Sequence, residues 1–185
     1  DEEGHEEEKD EHVWLSLKNA EKICSEITER LESIDPENKS LYDENEAAYA
    51  KELAVLDSRY KETVDNSERK TVLFADRFPF RYLADDYDLK YYAAFAGCSA
   101  ETEASFETVK FLAEKVDELD LPCVLTIEGT KHKIAETVIS NTSSKDQKIL
   151  TMDSMQSVSS DDVKDGASYI SIMEKNLDVL KEALN

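Results

Sequence analysis

From residue 71 onward the chain repeats one pattern four times: a short β-branched or aromatic run, then a stretch with helical spacing. The runs are TVLFA at 71–75, KYYAAF at 90–95, PCVLTI at 122–127 and KILTM at 148–152. Helical patterns are expected over 78–86, 102–119, 131–141 and 162–184, each beginning soon after a run ends. Strands joined in series through helices pair in parallel, and a parallel sheet needs both faces covered. The fold class expected is therefore α/β, a three-layer lobe with a four-stranded parallel sheet.

In such sheets ligands bind beyond the carboxyl ends of the strands. The residues expected there are Asp76 and Arg77 after the first strand, Gly97 and Cys98 after the second, Glu128 after the third and Asp153 after the fourth. A carboxylate so placed is also a common helix N-cap, and for Asp76 and Glu128 taken singly that reading is the better one.

Two helices are expected before the lobe. Leu17, Ala20, Ile23, Cys24, Ile27 and Leu31 recur at three and four, an amphipathic stripe within 13–31 that ends before Asp35-Pro36. A second helix over 41–66 places Tyr42, Tyr49, Leu53, Leu56, Tyr60 and Val64 on one face. At 1.5 Å per residue it is roughly 40 Å long, more than a small domain requires, and reads as a strut. The expected organisation is an acidic, His-containing flexible loop at 1–12, one helix region at 13–40, the long helix at 41–66 and the α/β lobe at 67–185.

Charge narrows the partners. Acidic residues number 43 against 22 basic, a formal net charge of −21, so nucleic acid and anionic membrane surfaces are repelled. Eight of the first eleven residues are acidic, a density that cannot be buried, and His5 among them could hold a metal loosely. No run of about 18 apolar residues occurs, so no transmembrane helix is expected. The first residues are the opposite of a signal peptide.

Chemistry that the sequence does not offer is equally informative. No GxGxxG, GxxxxGK[ST] or GxSxG is present, and the chain has four glycines, so phosphate loops and a hydrolase elbow lack their signals. Nothing places Cys98 or Cys123 beside His12 or His132 as a nucleophile pair, and no enzyme is expected. Cys24, Cys98 and Cys123 are too widely spaced for a structural zinc site, and Cys24 and Cys123 lie in apolar runs typical of core thiols. What remains is His12 and a set of strand-end carboxylates, donor types that hold zinc and manganese when a fold gathers them.

The segment Glu11-His12-Val13-Trp14-Leu15-Ser16 resembles the "D-P-H-x-W-L-(S/D)-P" motif of metal-binding solute-binding proteins of ABC transporters, which an acidic, His-containing loop often precedes. Phe80-Arg81-Tyr82-Leu83 with Tyr87 is similar to that family's "F-x-Y-L-x-x-x-Y-G-(L/V)", ILTMDS at 149–154 to its metal-binding strand end, and Tyr169 to Leu177 to its closing helix. The resemblance spans nearly the whole chain. It implies two α/β lobes joined by one long helix, with zinc or manganese bound between them for an ABC permease. It further implies an extracytoplasmic protein, a cell-surface lipoprotein or periplasmic, whose membrane anchor is not in this sequence, and a monomer is expected. On this reading the chain is the C-terminal portion, and most of the first lobe, with one further His ligand, is missing.

Carried over by position, the resemblance makes His12 and Asp153 metal ligands. Where the family has His or Glu before "F-x-Y-L", this sequence has Arg77, which has no lone pair to offer. Asp76, Glu128 or a water would then replace that ligand, or the site takes a carboxylate or a metal chelate, which the Arg77 fork suits. The alternative reading is an adhesin-like or protein-interaction module with a degenerate metal site. His132 reads as a surface or capping residue, Trp14 as a packing anchor beside His12, and Met152 and Met155 as core residues.

Overall fold

The computed structural model describes residues 10–97, 103–129 and 131–185. The expected tail before Asp10, with His5, and Cys98 lie outside them.

Four strands, β1 (Thr71–Phe78), β2 (Lys90–Ala96), β3 (Cys123–Ile127) and β4 (Lys148–Met152), form one parallel sheet in the order β2-β1-β3-β4. Successive residues of a strand face opposite sides. Leu73, Ala75 and Val124 therefore point one way, into a core closed by Val109, Leu112 and Val116 of helix α4 (Phe106–Glu118) and by Ala135 and Val138 of α5 (Lys133–Ser140). Phe74, Phe78, Leu125 and Met152 point the other way, against Met173 and Leu177 of α7 (Tyr169–Ala183) and Leu53, Leu56 and Tyr60 of α2 (Lys39–Asn66). The three-layer α/β lobe expected from the sequence is the fold observed.

Strand β1 runs three residues further than expected, so Asp76 and Arg77 lie inside it rather than after it. The cause is visible in the register with β2. Phe74 pairs with Ala93 but Arg77 with Phe95, so β1 carries one extra residue, a bulge that carries the strand on to Phe78. Pro79 follows, and helix α3 starts only at Arg81 (Arg81–Asp86).

The last expected helix, 162–184, is two. Helix α6 (Ser160–Lys164) is capped by Ser159 and α7 by Ser168, each in a reciprocal capping box. Between them Gly166 has φ 97, a left-handed conformation that continues no helix.

Helix α1 (Leu17–Ile34) follows a short 3-10 turn at Val13–Leu15 and is capped by Ser16, whose side chain accepts from the backbone N–H of Asn19. The same hydroxyl donates to Asp86 at 2.6 Å, fixing the start of α1 to the end of α3. Only Leu17 and Ala20 of the predicted stripe are buried. Ile23, Ile27, Leu31 and, at 81%, Ile34 stay exposed among the described residues. Helix α2, the expected strut, packs on α1 at one end and on α7 at the other.

Burial sets how the lobe responds to alkali. It pushes the Cys123 thiol up to about 12 and raises the Tyr60 and Tyr87 phenols, with the hydrogen bond to Asp57 adding to the effect at Tyr87. The native state therefore keeps protons that the unfolded chain releases. The stability this contributes is complete below the ordinary thiol value of 9.0 and is lost as pH rises toward the folded value. Unfolding free energies from denaturant titration are expected to fall steadily from about pH 9 to pH 11, by up to about 1.4 kcal/mol per pH unit for each such group, and the midpoints with them. A flat midpoint over that range would contradict this. Cys24, half-buried, and Cys123, buried, are both free thiols packed with the core, as expected.

Candidate functional site

His12 is 2% exposed, though its neighbours in sequence are acidic. The flexible loop expected over 1–12 therefore does not extend to its end: Asp10 and His12 are packed. Asp10 is the reason. Its Oδ1 accepts from the His12 backbone N–H at 2.9 Å and lies 2.6 Å from Nδ1. A carboxylate has no proton to give, so in the neutral ring Nδ1 carries the hydrogen and Nε2 keeps its lone pair. A carboxylate behind an imidazole in this way is the usual arrangement around metal-ligating histidines.

The His12 segment is tied to the lobe from three sides. Tyr82 of α3 donates to the Asp10 carbonyl at 2.9 Å, Trp14 Nε1 donates to the Ser154 carbonyl at 3.1 Å, and Tyr169 of α7 donates to the Trp14 carbonyl at 2.7 Å. The Trp14 ring lies 5.3 Å from the imidazole, the packing anchor expected. These ties hold His12 over the turn after β4, where its Nε2 meets the Gln156 side-chain amide at 3.2 Å.

Asp153 opens that turn. Its backbone N–H donates to Asn176 Oδ1 and its carbonyl accepts from Asn176 Nδ2, both at 2.8 Å, so buried Asn176 of α7 grips it from behind. Its carboxylate accepts from the Met155 N–H at 2.7 Å. Burial raises the carboxyl above the usual range, and the nearby Glu128 charge adds to that, partly offset by the Met155 bond.

Glu128, directly after β3, accepts from Ser154 N–H at 2.8 Å, from Ser154 Oγ at 2.7 Å and from Gln156 N–H at 3.2 Å. The N-cap role expected of it is not what it does. Helix α5 starts behind His132, four residues on, and the Glu128 carboxylate shapes the β4 turn instead. Asp76 departs from the N-cap expectation too. Buried within β1, it accepts from Arg77 N–H at 2.8 Å and from Ile127 N–H at 3.3 Å. It joins β1 to β3 where the backbone ladder pairs only Phe74 with Leu125.

Arg77 is half-buried, and its guanidinium forms no ion pair among the described residues. His132 is half-buried with φ 54 and makes no side-chain cap. Its Nδ1 is buried without a hydrogen-bond partner among the described residues. Met152 is a core residue and Met155 packs against the core, as expected.

The structure thus brings His12, Glu128 and Asp153 to one place, the turn at 153–156, and leaves Asp76 set back in the sheet. Among the described residues no three His, Cys, Asp or Glu side chains are gathered closely enough to hold a metal ion. Sequence reasoning misses Asp10, Ser154, Gln156 and Asn176. Asp10 is hidden in an acidic run. The other three are polar residues of ordinary type, and only the fold assigns them a task.

The sequence matches the family described as "ZnuA: Zinc-uptake complex component A periplasmic" over residues 1–183. It is 35% identical over 183 residues to the zinc-binding lipoprotein AdcA of Streptococcus pneumoniae, covering 98% of this chain and 35% of that protein. It is 32% identical over 175 residues to the high-affinity zinc uptake system protein ZnuA of Bacillus subtilis, covering 95% of this chain and 53% of that one. The crystal structure of the metal-dependent lipoprotein YcdH from Bacillus subtilis superposes with a TM-score of 0.81 at 32% identity, over 95% of this chain and 65% of the other. The chain thus spans between about a third and two thirds of the length of these proteins. Fold and sequence agree, and the chain belongs to the ZnuA family of metal-uptake solute-binding proteins.

Proposed function

We propose that this chain supplies one wall of an extracytoplasmic binding cleft that captures zinc or manganese and delivers it to an ABC permease. The observation that carries the reading is the His12 imidazole. It is buried, its Nδ1 is fixed by Asp10, and its Nε2 is aimed at the turn that carries Asp153. An imidazole nitrogen and a carboxylate oxygen are the donor types that zinc and manganese take. Capture and release need no covalent step, so the protein acts as a binding protein and not as an enzyme.

In the proposed organisation α2 links this lobe to a first lobe, of which α1 is the last helix. The exposed stripe of Ile23, Ile27 and Leu31 is then the face α1 turns toward that lobe. The cation lies between the lobes, and a membrane anchor outside this sequence holds the protein beside its permease.

Native mass spectrometry and competition titration with zinc and manganese test the reading. One tightly held ion per chain, lost in Asp153→Ala, is expected. Weak binding of several ions that the substitution leaves unchanged would mean that the acidic residues attract cations without a site.

A further inference from the structure

The turn after β4 contains one contact with the dimensions of a coordination sphere. Met155 has φ 62, a left-handed conformation that a non-glycine residue adopts only when its surroundings impose it. Here Glu128 imposes it by accepting from Ser154 and Gln156 on either side. The turn folds the Gln156 side chain back, so that its Nε2 lies 3.2 Å from Ser154 Oγ and 3.2 Å from His12 Nε2.

Two donors held by one zinc or manganese ion at about 2.0–2.2 Å stand roughly 2.8–3.6 Å apart across octahedral and tetrahedral angles. The separation of the Gln156 amide end from His12 Nε2 falls within that span. The amide carries a nitrogen and an oxygen on the same carbon, and rotation about one bond exchanges them. With the nitrogen forward, the amide N–H donates to the imidazole lone pair. With the oxygen forward, imidazole and amide present two lone pairs side by side.

We propose that Gln156 is a metal ligand of this chain, its Oε1 joining His12 Nε2 in the donor set. The inference rests on the metal-capture reading above. Loading exchanges one contact for another: the Gln156 N–H leaves His12 Nε2, the amide turns, and both groups bind the ion beside Asp153. No bond is made or broken within the protein. One imidazole, one carboxylate and one amide oxygen form a donor set richer in oxygen than one with a second histidine at position 77. Oxygen donors suit manganese, whereas zinc gains more from nitrogen. The cleft therefore discriminates less sharply in favour of zinc than a histidine-rich site.

The test uses the full-length protein, Gln156→Ala and Gln156→Glu, titrated with manganese and zinc, together with the Gln156 side-chain amide resonances during zinc addition. Gln156→Ala is expected to weaken manganese binding about tenfold or more and zinc binding less. Gln156→Glu is expected to restore or strengthen both, since it keeps a donor oxygen while losing the N–H that meets Ser154. One equivalent of zinc is expected to shift the Gln156 amide signals. Parent-like affinities in Gln156→Ala with unmoved amide signals, alongside loss of binding in His12→Ala, would remove Gln156 from the coordination sphere and leave metal capture standing. Failure of the glutamate to rescue would assign the loss to the shape of the turn and also overturn the inference. Parent-like binding in His12→Ala as well would overturn both.

Discussion

His12→Ala is expected to weaken zinc and manganese binding by roughly a hundredfold or more, beyond the 10–100-fold typical of losing a group that only supports a ligand. The reason is geometric. The imidazole is the sole nitrogen donor that the fold brings to the β4 turn among the described residues, and it is already oriented when the ion arrives. Asp10→Asn supplies the graded comparison. It keeps the size of the side chain but removes the negative charge behind Nδ1, so the ring keeps its place and becomes a weaker donor to a cation. A loss of about 10–100-fold is expected there, smaller than that of His12→Ala. Calorimetric or competition titration of the two variants side by side measures both. A parent-like affinity in Asp10→Asn would show that Asp10 does nothing for His12 beyond proximity, and unchanged affinity in His12→Ala would remove the histidine from the site.

Tyr60→Ala is expected to give the largest loss of stability, about 3–5 kcal/mol, because it empties a fully buried aromatic position. Tyr60 joins three elements. It rises from α2, donates to the Met173 carbonyl of α7 at 2.6 Å, and stacks on Tyr87 with ring centroids 5.4 Å apart. Tyr87 returns a hydrogen bond to Asp57, one turn back on α2, at 2.8 Å. For a chain of this size the melting temperature should fall by about 6–20 °C. Tyr60→Phe, which keeps the ring and loses only the hydroxyl, is expected to cost about 1 kcal/mol. Thermal unfolding of both variants distinguishes the contributions. A loss of under about 1 kcal/mol in Tyr60→Ala would mean that the α2 interface relaxes to fill the space.

Much of this architecture is legible in the order of residues alone. Strands such as PCVLTI at 122–127 are continuous apolar runs, as burial on both faces demands, and α4 carries its own Ser105 cap and apolar periodicity. The errors fall where a tertiary contact decides a local outcome. TVLFA at 71–75 reads as finished at Ala75 because Asp76 and Arg77 are charged, yet the bulge opposite β2 and the bond from Ile127 N–H to Asp76 carry the strand to Phe78. Glu128 reads as a cap because capping is the common use of a carboxylate at a strand end. Its actual partners, Ser154 and Gln156, lie 26 and 28 residues away in sequence, a separation that periodicity does not read. His12 and Asp153 are recognisable through the motifs they sit in. Asp10 stands at the first position of the "D-P-H-x-W-L" motif, but its bond to Nδ1 emerges only when the chain is folded, and Gln156 belongs to no motif.

The ties from Tyr82, Trp14, Tyr169 and Gln156 make the His12 segment and the β4 turn a single mechanical unit, although 141 positions of chain separate His12 from Asp153. A hinge elsewhere in the molecule leaves the spacing of these two donors unchanged. On the metal-capture reading proposed above, the two donors would lose little conformational freedom when a cation arrives, and opening the molecule elsewhere would not pull this pair apart. Release would then proceed by exchange of one donor at a time, and the residence time of the ion would be set at the side chains.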